Sequence, residues 1–99
     1  MSDVEIKPLG DGGFLLSGAL TFDTVPALWR QSAAQFNNAD ALTLDLQGIT
    51  HTDSAGLALL IEWMRAARSR NKTIAFRNIP PQMLAIAKVS GVEQILPLL

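Results

Sequence analysis

Ninety-nine residues with a formal net charge of −1, 48% hydrophobic and 17% charged, describe a folding chain with one modest core and no generic attraction to nucleic acid or anionic membrane, both of which need a marked basic excess. With no cysteine and a single histidine, a disulfide framework, a thiolate site and a His-based metal cluster are all disfavoured. No cofactor, metal or catalytic constellation is expected, and the apolar excess over charge points to surface that a partner covers.

The first residues carry no basic segment followed by an apolar stretch, so no signal peptide is expected. The longest uninterrupted apolar run, residues 55–61, is far shorter than the roughly 20 residues that span a bilayer. The expected location is the cytoplasm, with any membrane association made through another protein.

In chain order, Val4-Glu5-Ile6 and Phe14-Leu15-Leu16-Ser17-Gly18-Ala19-Leu20 flank Gly10-Asp11-Gly12-Gly13. This predicts a β-hairpin closed by a glycine-rich turn. A nucleotide-cradling loop would end in Gly-Lys-Ser/Thr and lead into a helix, and neither follows. A first helix comes next, capped by Asp23 or Thr24, with Pro26 in its first turn. Val25, Leu28, Trp29, Ser32, Ala33 and Phe36 recur on one face, and Asn37-Asn38 closes it.

Residues 41–46 predict a buried strand that runs through a connection at 48–52 into Asp53-Ser54-Ala55-Gly56, the opening of a long central helix at 54–70. Residues 72–77 predict another strand, ending before Ile79-Pro80-Pro81. A third helix over 81–90 stops at Gly91. The tail, residues 92–99, is apolar to its last residue and reads as a final short helix or strand that packs or docks. The order ββαβαβα predicts an α/β fold: a small mixed sheet of about four strands, covered by helices on one or both faces, in a single domain over residues 1–99.

The central helix has more apolar residues than one face needs. At about 100° per residue, Leu57, Leu60, Ile61, Met64 and Ala67 form the core stripe. Leu59, Trp63 and Ala66 fall on nearly the opposite side. This second set either packs under the neighbouring helix or forms an exposed patch around Trp63.

At the start of that helix Ser54 has two readings. As the N-cap, its oxygen accepts from a first-turn N–H. As a docking residue, it combines with Gly56, a poor helix former that leaves the backbone accessible to a close partner. Unpaired N–H groups and the positive end of the helix dipole favour an anion here. His51 next to Asp53 has the ingredients of an acid–base pair, but His51, Asp53 and Ser54 are too close in sequence to form a triad, and His51 reads as a loop residue. Arg65, Arg68, Arg70 and Lys72 read as a solvated helix end that complements the dipole, with a rim contact to an acidic partner as the second reading.

The string Leu44-Asp45-Leu46-Gln47-Gly48-Ile49-Thr50-His51-Thr52-Asp53-Ser54-Ala55-Gly56-Leu57-Ala58-Leu59-Leu60 resembles the core motif of STAS domains, which occur in sulphate transporters and anti-sigma-factor antagonists. The order of elements agrees over nearly the whole chain. The closing segment, Ile79-Pro80-Pro81-Gln82-Met83-Leu84-Ala85-Ile86-Ala87-Lys88-Val89-Ser90-Gly91-Val92 with Leu96-Pro97-Leu98, is similar to the Mla-type branch of that family. The resemblance implies a STAS-type fold and a cytoplasmic subunit without catalytic activity. Its implied partner is the MlaF-like ATPase of an ATP-binding-cassette complex and, through it, the membrane permease. Such a complex moves phospholipid and maintains outer-membrane lipid asymmetry.

Ser54 matches the hydroxyl residue that is phosphorylated in the antagonists and needed for partner contact in the Mla-type subunits, and Asp53 matches the acid before it. The chain departs from the antagonist pattern at Ala55, where a second serine or glycine is frequent, and in its more polar lead-in, Thr50-His51-Thr52. The residues and the resemblance together place partner contact on Thr52, Asp53, Ser54, Ala55, Gly56, Leu59 and Trp63, and make Ser54 a phosphorylation position. The alternative is a partner-switching antagonist that captures an anti-sigma serine kinase and is released when Ser54 is phosphorylated.

Overall fold

The computed structural model describes residues 4–99. Strands β1 (Val4–Gly10) and β2 (Gly13–Leu20) form the expected hairpin. Its turn places Asp11 and Gly12 at φ 53 and 81, the left-handed pair that a two-residue hairpin requires. Helix α1 (Val25–Phe36) leads into β3 (Ala41–Thr52), and α2 (Ser54–Ser69) leads into β4 (Thr73–Arg77). Helix α3 (Pro81–Val89) and a short 3-10 turn (Glu93–Ile95) complete the order.

The sheet is mixed and four-stranded, in the order β1-β2-β3-β4, with β1 antiparallel to β2 and the other pairs parallel. Register aligns the buried residues in rows: Phe14 beside Leu44, Leu44 beside Phe76, and Ile6 beside Leu16. Strand side chains alternate between faces, so these rows all point one way. The other face carries the row Lys7, Leu15, Asp45 and Arg77. Both β-α-β crossovers advance in the same direction along the sheet, and right-handed crossovers then put α1 and α2 on one side. A molecule 34 × 33 × 20 Å fits one sheet with one helical layer. Helices therefore cover one face, settling the two arrangements the sequence left open.

Two local expectations are corrected, and the expected packing of the tail is seen. β3 does not stop at Leu46 but continues to Thr52, pairing Ser17 with Gly48 and Leu20 with Thr52 across register shifts. The shifts absorb the Gly48 region, where an added Cβ would be 2.7 Å from the Leu16 carbonyl oxygen. His51 is accordingly an exposed strand residue paired with Ala19, not a loop residue. The tail after the 3-10 turn adds a parallel bridge from Leu98 to Phe76, with the Phe76 N–H donating to the Pro97 carbonyl at 2.8 Å. It thereby covers the outer edge of β4.

In the second stripe of α2, Leu59 and Trp63 are buried and Ala66 is half-buried. Leu59 and Trp63 are each 3% exposed beneath α1. Trp63 Nε1 donates to Ser32 Oγ at 2.9 Å, and its ring meets Phe36 edge-on at 5.4 Å. Of the two readings of this stripe, the exposed patch is wrong: α1 lies over α2 and takes those side chains into the core. Trp29, expected on the core face of α1, is instead 39% exposed. It lies at the flank of a stripe whose centre is Leu28, Ser32 and Phe36, all buried.

Among the described residues no helix is long and apolar enough to cross a membrane, and no group of three or more His, Asp or Glu side chains is placed to hold a metal ion.

Candidate functional site

The strand-to-helix junction brings Thr52, Asp53, Ser54 and Gly56 together, but in roles different from those the sequence suggested. Asp53, not Ser54, is the N-cap of α2: its Oδ1 accepts from the Ala55 N–H at 2.8 Å. Its Oδ2 accepts from the Phe22 N–H at 3.2 Å, and its own N–H donates to the Leu20 carbonyl at 3.1 Å. One carboxylate thus fastens the start of α2 to the loop between β2 and α1. Both oxygens accept from backbone N–H groups, and among the described residues no hydrogen bond joins Asp53 to His51.

Relieved of capping, Ser54 occupies the first helical position. Its side chain is exposed and makes no hydrogen bond among the described residues. Thr52 is 4% exposed and its hydroxyl donates to the Asp53 carbonyl at 3.1 Å.

Gly56 is buried, which corrects the expectation of an accessible backbone there. A Cβ at this position would be 2.3 Å from Thr52 Oγ1 and 3.1 Å from Met83 Cε. The missing side chain lets α2 approach the ends of β2 and β3 and makes room for α3, so the space belongs to the protein itself. Ala55 is 7% exposed. Of the seven residues assigned to partner contact, Ser54 and the half-buried Asp53 are accessible; Thr52, Ala55, Gly56, Leu59 and Trp63 are buried and shape that surface from beneath.

Two residues that the sequence did not assign to partner contact add exposed aromatic surface near the junction. Phe22, 71% exposed, is held beside the junction by its bond to Asp53. Trp29 borders a shallow groove between α1 and α2, lined by Val25, Pro26, Trp29, Ala58, Leu59 and Glu62. Phe22 lies in a loop without periodicity, so no sequence pattern marks it. Trp29 was read as a member of the apolar face of its helix, and period alone does not tell the flank of such a face from its centre. The arrangement offers a neutral hydroxyl, aromatic surface and an apolar groove, which suits the binding of another macromolecule and provides no nucleophile–base pair.

A family model described as Mlab, STAS domain, matches residues 11–98. The chain is 32% identical to the intermembrane phospholipid transport system binding protein MlaB of Haemophilus influenzae over 85 residues, 79% of this chain and 78% of that one. Its fold is similar to a chain of the Acinetobacter MlaFEDB complex in an ATP-bound conformation, with a TM-score of 0.78 and 23% identity, covering 96% of this chain and all of the other. It is also similar to the anti-sigma factor antagonist SpoIIAA in its unphosphorylated form, with a TM-score of 0.73 and 16% identity, covering 97% and 85%. The four-stranded mixed sheet with its helices is therefore the STAS fold that the sequence resemblance implied.

Proposed function

Because the chain belongs to the STAS-domain family of the Mlab type, we propose that it is a non-catalytic subunit of a phospholipid transport complex of the ATP-binding-cassette type. It binds the ATPase subunit on the cytoplasmic side and, through it, the membrane permease. Binding stabilises the assembled ATPase, because a ligand that prefers one state shifts the equilibrium toward it. The complex maintains lipid asymmetry of the outer membrane.

The observation that carries this reading is the exposed Ser54 hydroxyl, free of any capping duty, one helical turn before Ala58 of the groove and next to Asp53, which holds Phe22. A side chain released from structural work and bordered by exposed aromatics fits a docking surface. Thr52, Ala55, Gly56, Leu59 and Trp63 support that surface by fixing the position and tilt of α2. A phosphate on Ser54 would find N–H donors at the helix start, yet it would add bulk and negative charge where a partner meets a neutral hydroxyl.

Affinity purification of the tagged protein from its own cells in mild detergent, with mass spectrometry of the co-eluting chains, tests the proposal. An ATP-binding-cassette ATPase recovered together with its permease supports it. Recovery of a serine kinase, with phosphate on Ser54, would replace it with the partner-switching reading that the SpoIIAA-like fold also accommodates.

A further inference from the structure

The groove between α1 and α2, whose Ala58 lies one helical turn beyond Ser54, has a chemistry that specifies more than apolar contact. Val25, Pro26, Ala58 and Leu59 give it an aliphatic floor, and its polar features are the Trp29 indole and the Glu62 carboxylate, both on its lining. Trp29 is 39% exposed, so part of its side chain is open to a ligand. Glu62 pairs with nothing in the groove. Its Oε1 accepts from Arg65 Nη1 on its own helix at 3.2 Å, with the Glu62 and Arg65 side chains 53% and 74% exposed. A surface pair of this kind contributes little and is easily exchanged.

An indole face, a carboxylate and an aliphatic floor in one groove match the three parts of an arginine side chain. The guanidinium stacks on tryptophan better than on other rings. Its forked N–H groups bond both oxygens of a carboxylate, and its methylene stem lies on apolar surface. Lysine satisfies these requirements less well, because its compact ammonium neither stacks flat nor bonds in a fork.

We propose that this groove is an arginine-binding subsite of the docking surface: a partner arginine stacks on Trp29, takes Glu62 from Arg65, and lays its stem over Ala58 and Leu59. The inference rests on the reading of the Ser54 face as the docking site for the ATPase and names what that partner brings to it. Arg65 then acts as an internal competitor, holding the carboxylate until the partner arrives.

The test is the affinity of the purified protein for the ATPase recovered with it, measured by titration calorimetry for four variants alongside thermal melts. Glu62→Gln should weaken binding about tenfold, the worth of one charge-assisted bond, and flatten its salt dependence. Trp29→Leu should weaken it while preserving an apolar contact. The Glu62→Gln/Trp29→Leu double variant should lose less than the sum of the two, since both act on one guanidinium. Arg65→Gln should bind as tightly as the unaltered protein or more tightly. Wild-type affinity in Glu62→Gln, strict additivity in the double variant, or a loss in Arg65→Gln would each overturn the arginine subsite while leaving the docking reading standing. Failure of any ATPase to bind the unaltered protein overturns both.

Discussion

Trp63 on α2 donates its indole N–H to the Ser32 hydroxyl on α1 at 2.9 Å, and both residues are buried. The Ser32 hydroxyl in turn donates to the Trp29 carbonyl at 3.0 Å, so the chain of bonds ends on the α1 backbone. Phe36 continues the contact, with the Trp63 ring on one side at 5.4 Å and the Phe14 ring on the other at 4.9 Å. This cluster sets how the two helices lie against each other, and hence the width of the groove between them.

Trp63→Ala should therefore cost about 3 to 5 kcal/mol of stability, the usual penalty for emptying a large aromatic site. Ser32→Ala should cost about 1 to 3 kcal/mol, because the indole N–H is left buried without an acceptor. Urea denaturation followed by far-UV circular dichroism measures both. Values near zero for Trp63→Ala would place that side chain outside the core.

Asp53 and Ser54 are neighbours with separable roles. Asp53→Ala removes the helix cap and the bond to Phe22, and should cost about 1 to 2 kcal/mol. Ser54→Ala removes an exposed hydroxyl that caps nothing and should change stability by no more than about 0.5 kcal/mol. Paired melts check this, and a larger loss from Ser54 than from Asp53 would reverse the assignment of the cap.

Ser54→Asp should lower affinity for the partner by far more than it lowers stability. A carboxylate at the first helical position is tolerated by the helix dipole but is unwelcome in an interface that receives a neutral hydroxyl. Binding titration beside a thermal melt separates the two effects, and equal losses in both would end the docking interpretation of Ser54.

Gly56→Ala places a methyl group 2.3 Å from Thr52 Oγ1 and should destabilise the fold by about 1 to 3 kcal/mol. Adding Thr52→Ala should recover part of that loss, since it removes the atom in closest conflict. A double-mutant cycle by denaturant unfolding gives the coupling, and strict additivity would show that α2 shifts instead.

Phe22→Ser should leave stability within about 0.5 kcal/mol, because the ring is 71% exposed. Partner affinity should fall at least about tenfold if Phe22 contributes to the interface as an aromatic hot spot does. Surface plasmon resonance with the recovered ATPase reads this directly.

Much of the architecture was legible because each element carries its own period. The alternation Leu42, Leu44, Leu46 predicted a strand with one buried face, and the spacing of Leu57, Leu60 and Ala67 predicted a helix resting on it; all six are buried. The Asp-Ser-x-Gly string carried the family. The extension of β3 through Gly48-Ile49-Thr50-His51-Thr52 was not legible, because a strand broken by register shifts loses its period of two.

The site was less legible than the fold, for a reason visible in its residues. Asp53 and Ser54 are equally good caps by type, and only the placement of Phe22, 31 residues earlier in sequence, gives Asp53 a second donor. Gly56 looked like an opening because a sequence does not say what fills the space beside a glycine.

The sequence by itself determined the order and kind of the elements, the family, and the presence of a hydroxyl at the start of the central helix, since these depend on local periodicity and contiguous motif. Only the tertiary structure decided which apolar residues face outward. Trp63 and Trp29 are both aromatic members of helical stripes, yet α1 covers the first to 3% exposure while the second, at the flank of its own stripe, stays 39% exposed. Burial is a property of what another segment brings to a side chain, and that depends on contacts across 30 or more residues of chain rather than on local pattern.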